Sequence, residues 1–185
     1  MYYRNQNASA TKQQGDGMEL TKKERLAYIY QLRILEALYP DEATEFAQNR
    51  TALENGFALH YDWLFENLRD ELSDTECQDV LSILDMYRAI TFSLRNLEAD
   101  DALHNHHLAK FRGFDGNNEG QLMAYVRYFI VDLDRYDELK EGKLPSFNSH
   151  TPMLPTYQRM HQRWRGVERK FELSREQIDI VLGAE

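Results

Sequence analysis

Residues 73–97 read SDTECQDVLSILDMYRAITFSLRNL and carry the strongest structural signal in the sequence. Ser73 and Glu76 have the spacing of a capping box, in which each side chain accepts a hydrogen bond from the other residue's backbone N–H. Apolar residues then recur every three or four positions, which is the period of one helix face; they are Val80, Leu81, Leu84, Tyr87, Ile90, Leu94 and Leu97. The stretch therefore predicts a long amphipathic helix with one buried face.

Three shorter helices are predicted before this one. A capping box that begins at Thr21 opens a helix that must stop at Pro40. Asp41 is positioned to cap a second helix, which runs to Gly56. A third helix is expected over residues 61–72. The apolar residues on the predicted inner faces are Leu26, Ile29, Phe46, Leu53, Leu64, Phe65, Leu68 and Leu72.

Three further helices are predicted after the long one. The first spans residues 119–136 and is apolar on almost every side between residues 122 and 131 except at Arg127, as expected of a helix in the middle of a structure. A Thr-Pro pair at residues 151–152 precedes a helix that extends to Arg165. The last helix is capped by Ser174 and ends at Gly183.

Alternating strand patterns with turn dipeptides are missing from the sequence, so the chain is predicted to be all-α. We expect a compact multi-helix bundle in which an N-terminal helical hairpin lobe packs on a larger helical lobe. Residues 18–72 and 73–185 are the expected sub-lobes of this single domain. Residues 1–17 are polar and lack helical periodicity, which predicts a disordered tail and makes Met18 a candidate for the native start.

The composition limits the classes of function. No apolar run approaches the roughly 18–20 residues that span a bilayer, so we expect no membrane span. A single cysteine excludes an internal disulfide, and we expect a cytoplasmic protein. The net charge of -9 disfavours nucleic acid as a partner, because an acidic protein repels polyanions. Charge is nonetheless uneven: residues 41–79 are acidic and residues 159–175 are basic, which favours attraction within or between subunits.

The stretch GFDGNNEGQL, residues 113–122, resembles the start of a calcium loop through its alternating polar residues, among them Asp115. The position where a calcium loop needs a bidentate acid is Val126, so the metal interpretation loses most of its specificity. Asn118, followed by Gln121, suits a helix N-cap. We therefore interpret the loop as a helix start, and keep Asp115 as a candidate binding residue because helix-start amides can hold an anion.

Three histidines, His104, His106 and His107, lie close together in the sequence. His104 and His107 can share a helix face with Asp100 or Asp101 about one turn away, so a transition-metal site is chemically conceivable. Metal sites usually need three or four ligands, and no second group of ligands accompanies these residues. We expect neither a metal nor any other cofactor.

Arg127 lies among apolar residues and must find a carboxylate if it is buried, since an unpaired buried charge is strongly destabilising. Asp85, which is flanked by apolar residues on the long helix, is the first expected partner and Asp115 is the second. We interpret Asp85 and Arg127 as a buried structural ion pair. The functional alternative is an arginine that lines a polar cavity.

The stretch YQRMHQRWRG, residues 157–166, combines arginines with apolar and aromatic residues. Such combinations are enriched at binding surfaces and can also bind phosphate. We expect this helix to form the contact surface of the protein, with candidate residues Tyr157, Arg159, Met160, Arg163, Trp164 and Arg165. The alternative is an ordinary amphipathic helix whose arginines lie in water.

The chain resembles the YfbU family of uncharacterised bacterial proteins over about residues 18–182. The resemblance rests on the stretches LTKKERL, ENGFALHYDWLF, CQDVLSILDMYRAI, GFDGNNEGQLMAYVRYF and FNSHTPMLPTYQRMHQRW. It implies an all-helical cytoplasmic protein with a helical hairpin lobe joined to a larger helical lobe. It supplies no reaction, ligand or catalytic residue that could be carried over.

No acid, base and nucleophile converge in the sequence, whereas amphipathic helices and regions of opposite charge are abundant. We therefore predict a non-enzymatic, soluble interaction or regulatory protein that forms a homo-oligomer and binds a protein partner of unknown identity. One alternative is binding of a phosphate-bearing ligand or nucleic acid through residues 157–166. A second is a metal-assisted hydrolase built on residues 104–107.

Overall fold

The computed structural model describes residues 18–140 and 146–183 of the chain. The regular elements in these residues are helices, with one isolated bridge and no strand, which confirms the all-α prediction. The predicted disordered tail, residues 1–17, lies outside the described residues. The chain divides into two compact units between Asp70 and Glu71, and each unit has its own apolar core.

A helical hairpin dominates the first unit. α1 spans Lys22–Leu38 and begins with the predicted capping box, in which Thr21 and Glu24 each accept a hydrogen bond from the other's backbone N–H. α2 spans Ala43–Asn55 and packs against α1. It ends at Gly56, whose φ of 73° is the left-handed conformation that glycine adopts readily.

The predicted third helix over residues 61–72 is wrong. A short 3-10 turn, Ala58–Leu64, brings Tyr61 into the core instead. A short helix is stable only when its apolar face is buried against a neighbour, and Leu68 remains 70% exposed. The predicted cap at Asp41 is also wrong, because the N-cap of α2 is Glu42, which makes no side-chain capping hydrogen bond.

The core of the first unit is small. Its buried side chains among the described residues are Ile29, Leu32, Leu53 and Tyr61. The expectation that Leu26 faces inward is wrong, because the buried face of α1 passes through Ile29 and Leu32. Much of the apolar surface of α1 is therefore left exposed.

α3, Asp74–Leu94, is the central helix of the second unit. Its predicted capping box at Ser73 and Glu76 is formed, and most of the predicted stripe is buried. Three later helices pack against α3: α4 (Gly120–Arg127), α5 (Leu154–Gly166) and α6 (Arg175–Leu182). α3 ends three residues before the predicted Leu97, where the chain tightens into i to i+3 hydrogen bonds.

α4 is shorter and more exposed than predicted. It continues as one π-helical turn, Tyr128–Asp132, and the predicted end at Tyr136 lies outside the helix with a φ of 52°. Val126 and Ile130 form the buried face, whereas Tyr128 is 49% exposed. The expectation of a helix buried on all sides is therefore wrong.

The last two helices differ in how their first amides are capped. α6 begins with the predicted capping box at Ser174 and ends at Gly183, as expected. α5 begins at Leu154 with Met153 as its N-cap, so the predicted cap at residues 151–152 is wrong.

None of the helices in residues 18–140 and 146–183 is long and apolar enough to cross a membrane.

Candidate functional site

The loop at residues 113–119 is fixed by backbone pairing with a later segment. Phe114 N–H donates to the Phe147 carbonyl over 2.9 Å, and Ser149 N–H donates to the Phe114 carbonyl over 3.1 Å. Gly113 has a φ of 81°, and a Cβ on it would lie 1.9 Å from the Phe147 carbonyl oxygen. Glycine is therefore required here for the two backbones to approach.

Asp115 is buried in this loop and its carboxylate is used by the loop itself. It accepts hydrogen bonds from the Asn117 backbone N–H over 3.2 Å and from the Asn118 side-chain amide. The helix that follows has Glu119 as its N-cap, so the expected cap at Asn118 is wrong. Asp115 thus shapes the turn that precedes α4.

Glu119 joins the start of α4 to the start of α5. Its carboxylate accepts from Asp115 N–H over 2.9 Å, from Met153 N–H over 3.0 Å and from Leu154 N–H over 2.8 Å. A carboxylate at a helix N-terminus satisfies free amides and interacts favourably with the helix dipole. Sequence reasoning missed this contact, because it assigned the cap of α5 to residues 151–152 and the start of α4 to Asn118.

α5 buries the apolar and aromatic residues of the predicted contact surface. Tyr157, Met160 and Trp164 are 0%, 0% and 3% exposed. The Tyr157 hydroxyl accepts from Arg112 N–H over 3.2 Å and donates to the Gly113 carbonyl over 3.0 Å. Burial raises the pKa of the Tyr157 hydroxyl well above its usual range. The expectation that these apolar residues form a surface is wrong, because the same helical period also describes a core-facing stripe.

The arginines of α5 lie on its outer face. Arg159, Arg163 and Arg165 are all exposed. Arg159 donates to Thr156 Oγ1 over 3.0 Å, and the Arg163 guanidinium lies against Gly183 at the end of α6. A positive charge at a helix C-terminus is favourable, so Arg163 has a structural role.

The expectation of a buried Asp85–Arg127 pair is wrong, because Arg127 is exposed. Asp85 accepts a hydrogen bond from the Tyr136 hydroxyl over 2.6 Å. The Arg88 guanidinium lies 3.9 Å from the centre of the Tyr136 ring and binds Glu138 over 2.5 Å. The Asp85 carboxylate therefore has a tyrosine hydroxyl as its partner, and Arg88, one turn later on α3, pairs with Glu138.

The histidines at residues 104–107 do not form a metal site with Asp101. The Asp101 carboxylate accepts from Leu103 N–H over 2.9 Å and pairs with Arg175 over 2.6 Å, and these contacts lower its pKa. His104 Nε2 lies 3.1 Å from the Glu98 carbonyl oxygen. Within the described residues, no three His, Cys, Asp or Glu side chains are grouped to hold a metal ion.

α1 carries a stripe of large apolar side chains that stays exposed. The exposed fractions are 49%, 55%, 59% and 64% for Leu26, Tyr30, Ile34 and Leu38 respectively. Two small exposed residues, Ala27 and Ala37, lie beside the stripe. We call these six residues the α1 face. Sequence reasoning missed the face because it assigned one apolar stripe to α1, whereas the apolar residues of α1 cover two.

The comparisons with known proteins agree with the resemblance seen in the sequence. A model of the YfbU domain matches residues 18–184. The UPF0304 protein MJECS11 of Methanocaldococcus jannaschii is 35% identical over 169 residues, which cover 89% of this chain and 99% of that protein. Both matches include the N-terminal hairpin and the α3-centred unit. The chain belongs to the YfbU domain family.

Proposed function

We propose that this protein is a non-enzymatic interaction protein that self-associates through the α1 face. The observation that carries the proposal is the stripe of four large apolar side chains on α1, which remain 49–64% exposed. The largest exposed apolar patch on a soluble protein is often functional. The four-residue core of the first unit supports the proposal, because a unit of this size with so little burial gains from a partner.

The α1 face is complementary to itself. When two copies of α1 pack antiparallel around a twofold axis level with residue 32, Tyr30 of one copy lies opposite Ile34 of the other. The same operation pairs the remaining members of the face, Leu26 with Leu38 and Ala27 with Ala37. Antiparallel helices that cross at about 20°, as in four-helix bundles, stay in contact along their length. A second copy therefore matches large residues with large ones and small with small.

Charged residues flank the α1 face in a pattern that fits the same pairing. Lys22 and Lys23 are exposed at the start of α1, and Asp41 and Glu42 are exposed just after its end. Antiparallel packing brings the lysines of one copy next to the carboxylates of the other at both ends of the contact. A parallel arrangement would bring like charges together. The charge pattern thus favours an antiparallel second copy as the occupant.

The size of the face sets the expected affinity. At about half exposure, four large side chains present on the order of 400 Å² of apolar surface per copy, within the range of the largest patch on a typical monomer. Two copies bury on the order of 800 Å², which is below the standard size of a specific interface. We therefore expect a weak dimer with a dissociation constant on the order of 10 µM.

The polar side chains in the candidate sites support an interaction role over catalysis. Asp115, Glu119 and Asp101 have backbone N–H groups as partners, so their oxygens serve the fold. Cys77 is the only cysteine of the chain, which fits the reducing environment of the cytoplasm. We include this location in the proposal.

Sedimentation velocity across protein concentrations tests the proposal. At low salt, the average mass should rise from that of a monomer at about 1 µM to that of a dimer at about 200 µM. Ile34→Glu should weaken the dimer by at least about a hundredfold, because each dimer would bury two unpaired carboxylates. Circular dichroism should show the helix content unchanged, since Ile34 is already exposed.

The control is Ile180→Glu, which changes an isoleucine of similar exposure, 52%, on α6. This variant should associate like the wild type. A wild-type protein that stays monomeric at about 200 µM, or an equal effect of Ile34→Glu and Ile180→Glu, contradicts self-association through the α1 face.

A further inference from the structure

A cleft of about 620 Å³ in the second unit gathers most of the histidines of the chain. Segments 104–112 and 146–150 supply most of its wall. Four of the six histidines in the sequence line it: His104, His106, His107 and His150. The volume is within the usual range for a small-molecule site, roughly 300–1,000 Å³.

The charge of the cleft is opposite to the charge of the protein. Arg112 adds a permanent positive charge to the histidines, Lys110 also lines the cleft, and no Asp or Glu is among the described residues that line it. The whole chain has 31 acidic and 22 basic residues, so an acid-free lining is unusual for this sequence. A positive cleft in an acidic protein attracts an anion locally.

Arg112 is available to a ligand at the rim of the cleft. Its guanidinium is exposed and makes no hydrogen bond within the described part of the chain. Its backbone is held in place, because Arg112 N–H donates to the Tyr157 hydroxyl over 3.2 Å and that hydroxyl belongs to the buried face of α5. A fixed backbone with a free guanidinium suits recognition of phosphate or carboxylate oxygens.

His150 is held on the other wall in an unfavourable backbone conformation. Its φ is 56°, which is uncommon for a residue with a Cβ. The Asn148 side-chain oxygen stabilises this turn by accepting from His150 N–H over 3.0 Å and from Gly116 N–H over 3.1 Å. Strained residues of this kind persist where the surroundings fix them, and they cluster at ligand sites.

The histidines that line the cleft are not arranged as metal ligands. The described residues contain no group of three His, Cys, Asp or Glu side chains that could hold a metal ion. Phe111, which is half-buried, and Phe147 add an apolar wall beside the basic residues. The lining therefore combines positive and hydrogen-bonding groups with an aromatic surface, as a site for an anionic organic ligand requires.

We infer that this cleft binds a phosphate-bearing small molecule, with Arg112, His107 and His150 on the phosphate and Phe111 against the organic part. Guanidinium and imidazole N–H groups donate hydrogen bonds to phosphate oxygens, and the phenylalanine ring excludes water from an apolar moiety. The inference concerns the second unit and does not depend on self-association through α1.

Isothermal titration calorimetry with phenyl phosphate tests the inference, with inorganic phosphate and phenol as separate probes at constant ionic strength. Phenyl phosphate should bind the wild type with a millimolar or lower dissociation constant, inorganic phosphate more weakly and phenol not measurably. The double variant Arg112→Gln/His150→Gln should weaken phenyl phosphate binding by at least about tenfold. Both side chains are exposed, so the melting temperature should not change.

Arg165→Gln is the matched control, because Arg165 is an exposed arginine on α5 that does not line the cleft. It should bind phenyl phosphate like the wild type. The inference is overturned if the wild type binds neither phosphate probe, or if the double variant binds as tightly as the wild type. Loss of binding in Arg165→Gln, together with tight binding of a short oligonucleotide, would instead identify α5 as a nucleic-acid surface.

Discussion

Removal of the Glu119 carboxylate is expected to destabilise the second unit strongly. In the wild type, the Glu119 carboxylate lies 2.8–3.0 Å from the backbone nitrogens of Asp115, Met153 and Leu154 and accepts a hydrogen bond from each. Glu119→Ala removes this acceptor from all three N–H groups. A hydrogen bond to a charged group contributes about 1.5–3 kcal/mol net. Because the site is only partly buried, water will satisfy some of the freed amides. We therefore expect the free energy of unfolding to fall by about 3–5 kcal/mol.

Urea denaturation followed by tryptophan fluorescence measures this loss. Trp164 is 3% exposed in the second unit, whereas Trp63 in the first unit is 55% exposed, so the change in emission reports mainly on the second unit. Glu119→Gln keeps one oxygen acceptor and should lose about half as much stability. A fall of about 4 kcal/mol would be a large part of the 5–15 kcal/mol typical of natural domains.

Glu172→Ala is the matched control, because Glu172 is exposed and its side chain makes no hydrogen bond within the described residues. It should change the free energy of unfolding by no more than about 0.5 kcal/mol. A loss below about 1 kcal/mol for Glu119→Ala would refute the reasoning, since it would mean that the three amides are equally well satisfied by water.

Two further outcomes follow from buried polar groups of the second unit. Tyr157→Phe should lower the free energy of unfolding by about 1–3 kcal/mol, because the Arg112 N–H and the Gly113 carbonyl lose their partner. Tyr128 is exposed, so Tyr128→Phe should leave the free energy of unfolding unchanged in the same urea titration. Burial, reinforced by two nearby arginines, lowers the pKa of His161 from its ordinary value of 6.5. The folded protein then binds fewer protons than the unfolded chain below that value, so stability should fall as the pH drops from about 7 to about 5.5. The fall should be smaller in His161→Phe, as urea titrations at several pH values would show; an identical pH profile would contradict it.

Features that depend on neighbouring residues were predictable from the sequence. The capping boxes at Thr21, Ser73 and Ser174 are formed as predicted, because they need only residues three positions apart. The stripe of α3 was equally predictable as one apolar helix face, since its residues recur at the helical period, and most of them are buried.

Contacts between distant residues were not predictable in the same way. Glu119 meets Met153 across 34 residues, and Tyr136 meets Asp85 across 51. No local spacing encodes such pairs, because the fold alone brings them together. The cleft between residues 104–112 and 146–150 has the same origin. The sequence therefore indicated the three histidines at residues 104–107 but not Arg112 or His150.

Helical periodicity also does not tell a core face from a docking face. The predicted contact surface on α5 is buried at Tyr157 and Trp164, whereas Leu26, assigned to the core, is exposed on α1. Both stripes have the spacing of an amphipathic helix. Which of them is covered depends on how many neighbours each helix packs against, and that is a property of the folded chain.

Charge reversal at the two ends of the α1 face tests the proposed self-association most directly. Lys22→Glu/Lys23→Glu and Asp41→Lys/Glu42→Lys each place like charges at both ends of an antiparallel dimer, and each should sediment as a monomer at about 200 µM. An equimolar mixture restores opposite charges at both ends, so it should sediment as a dimer. Dimers of either variant alone, or a mixture that stays monomeric, would contradict antiparallel pairing through α1.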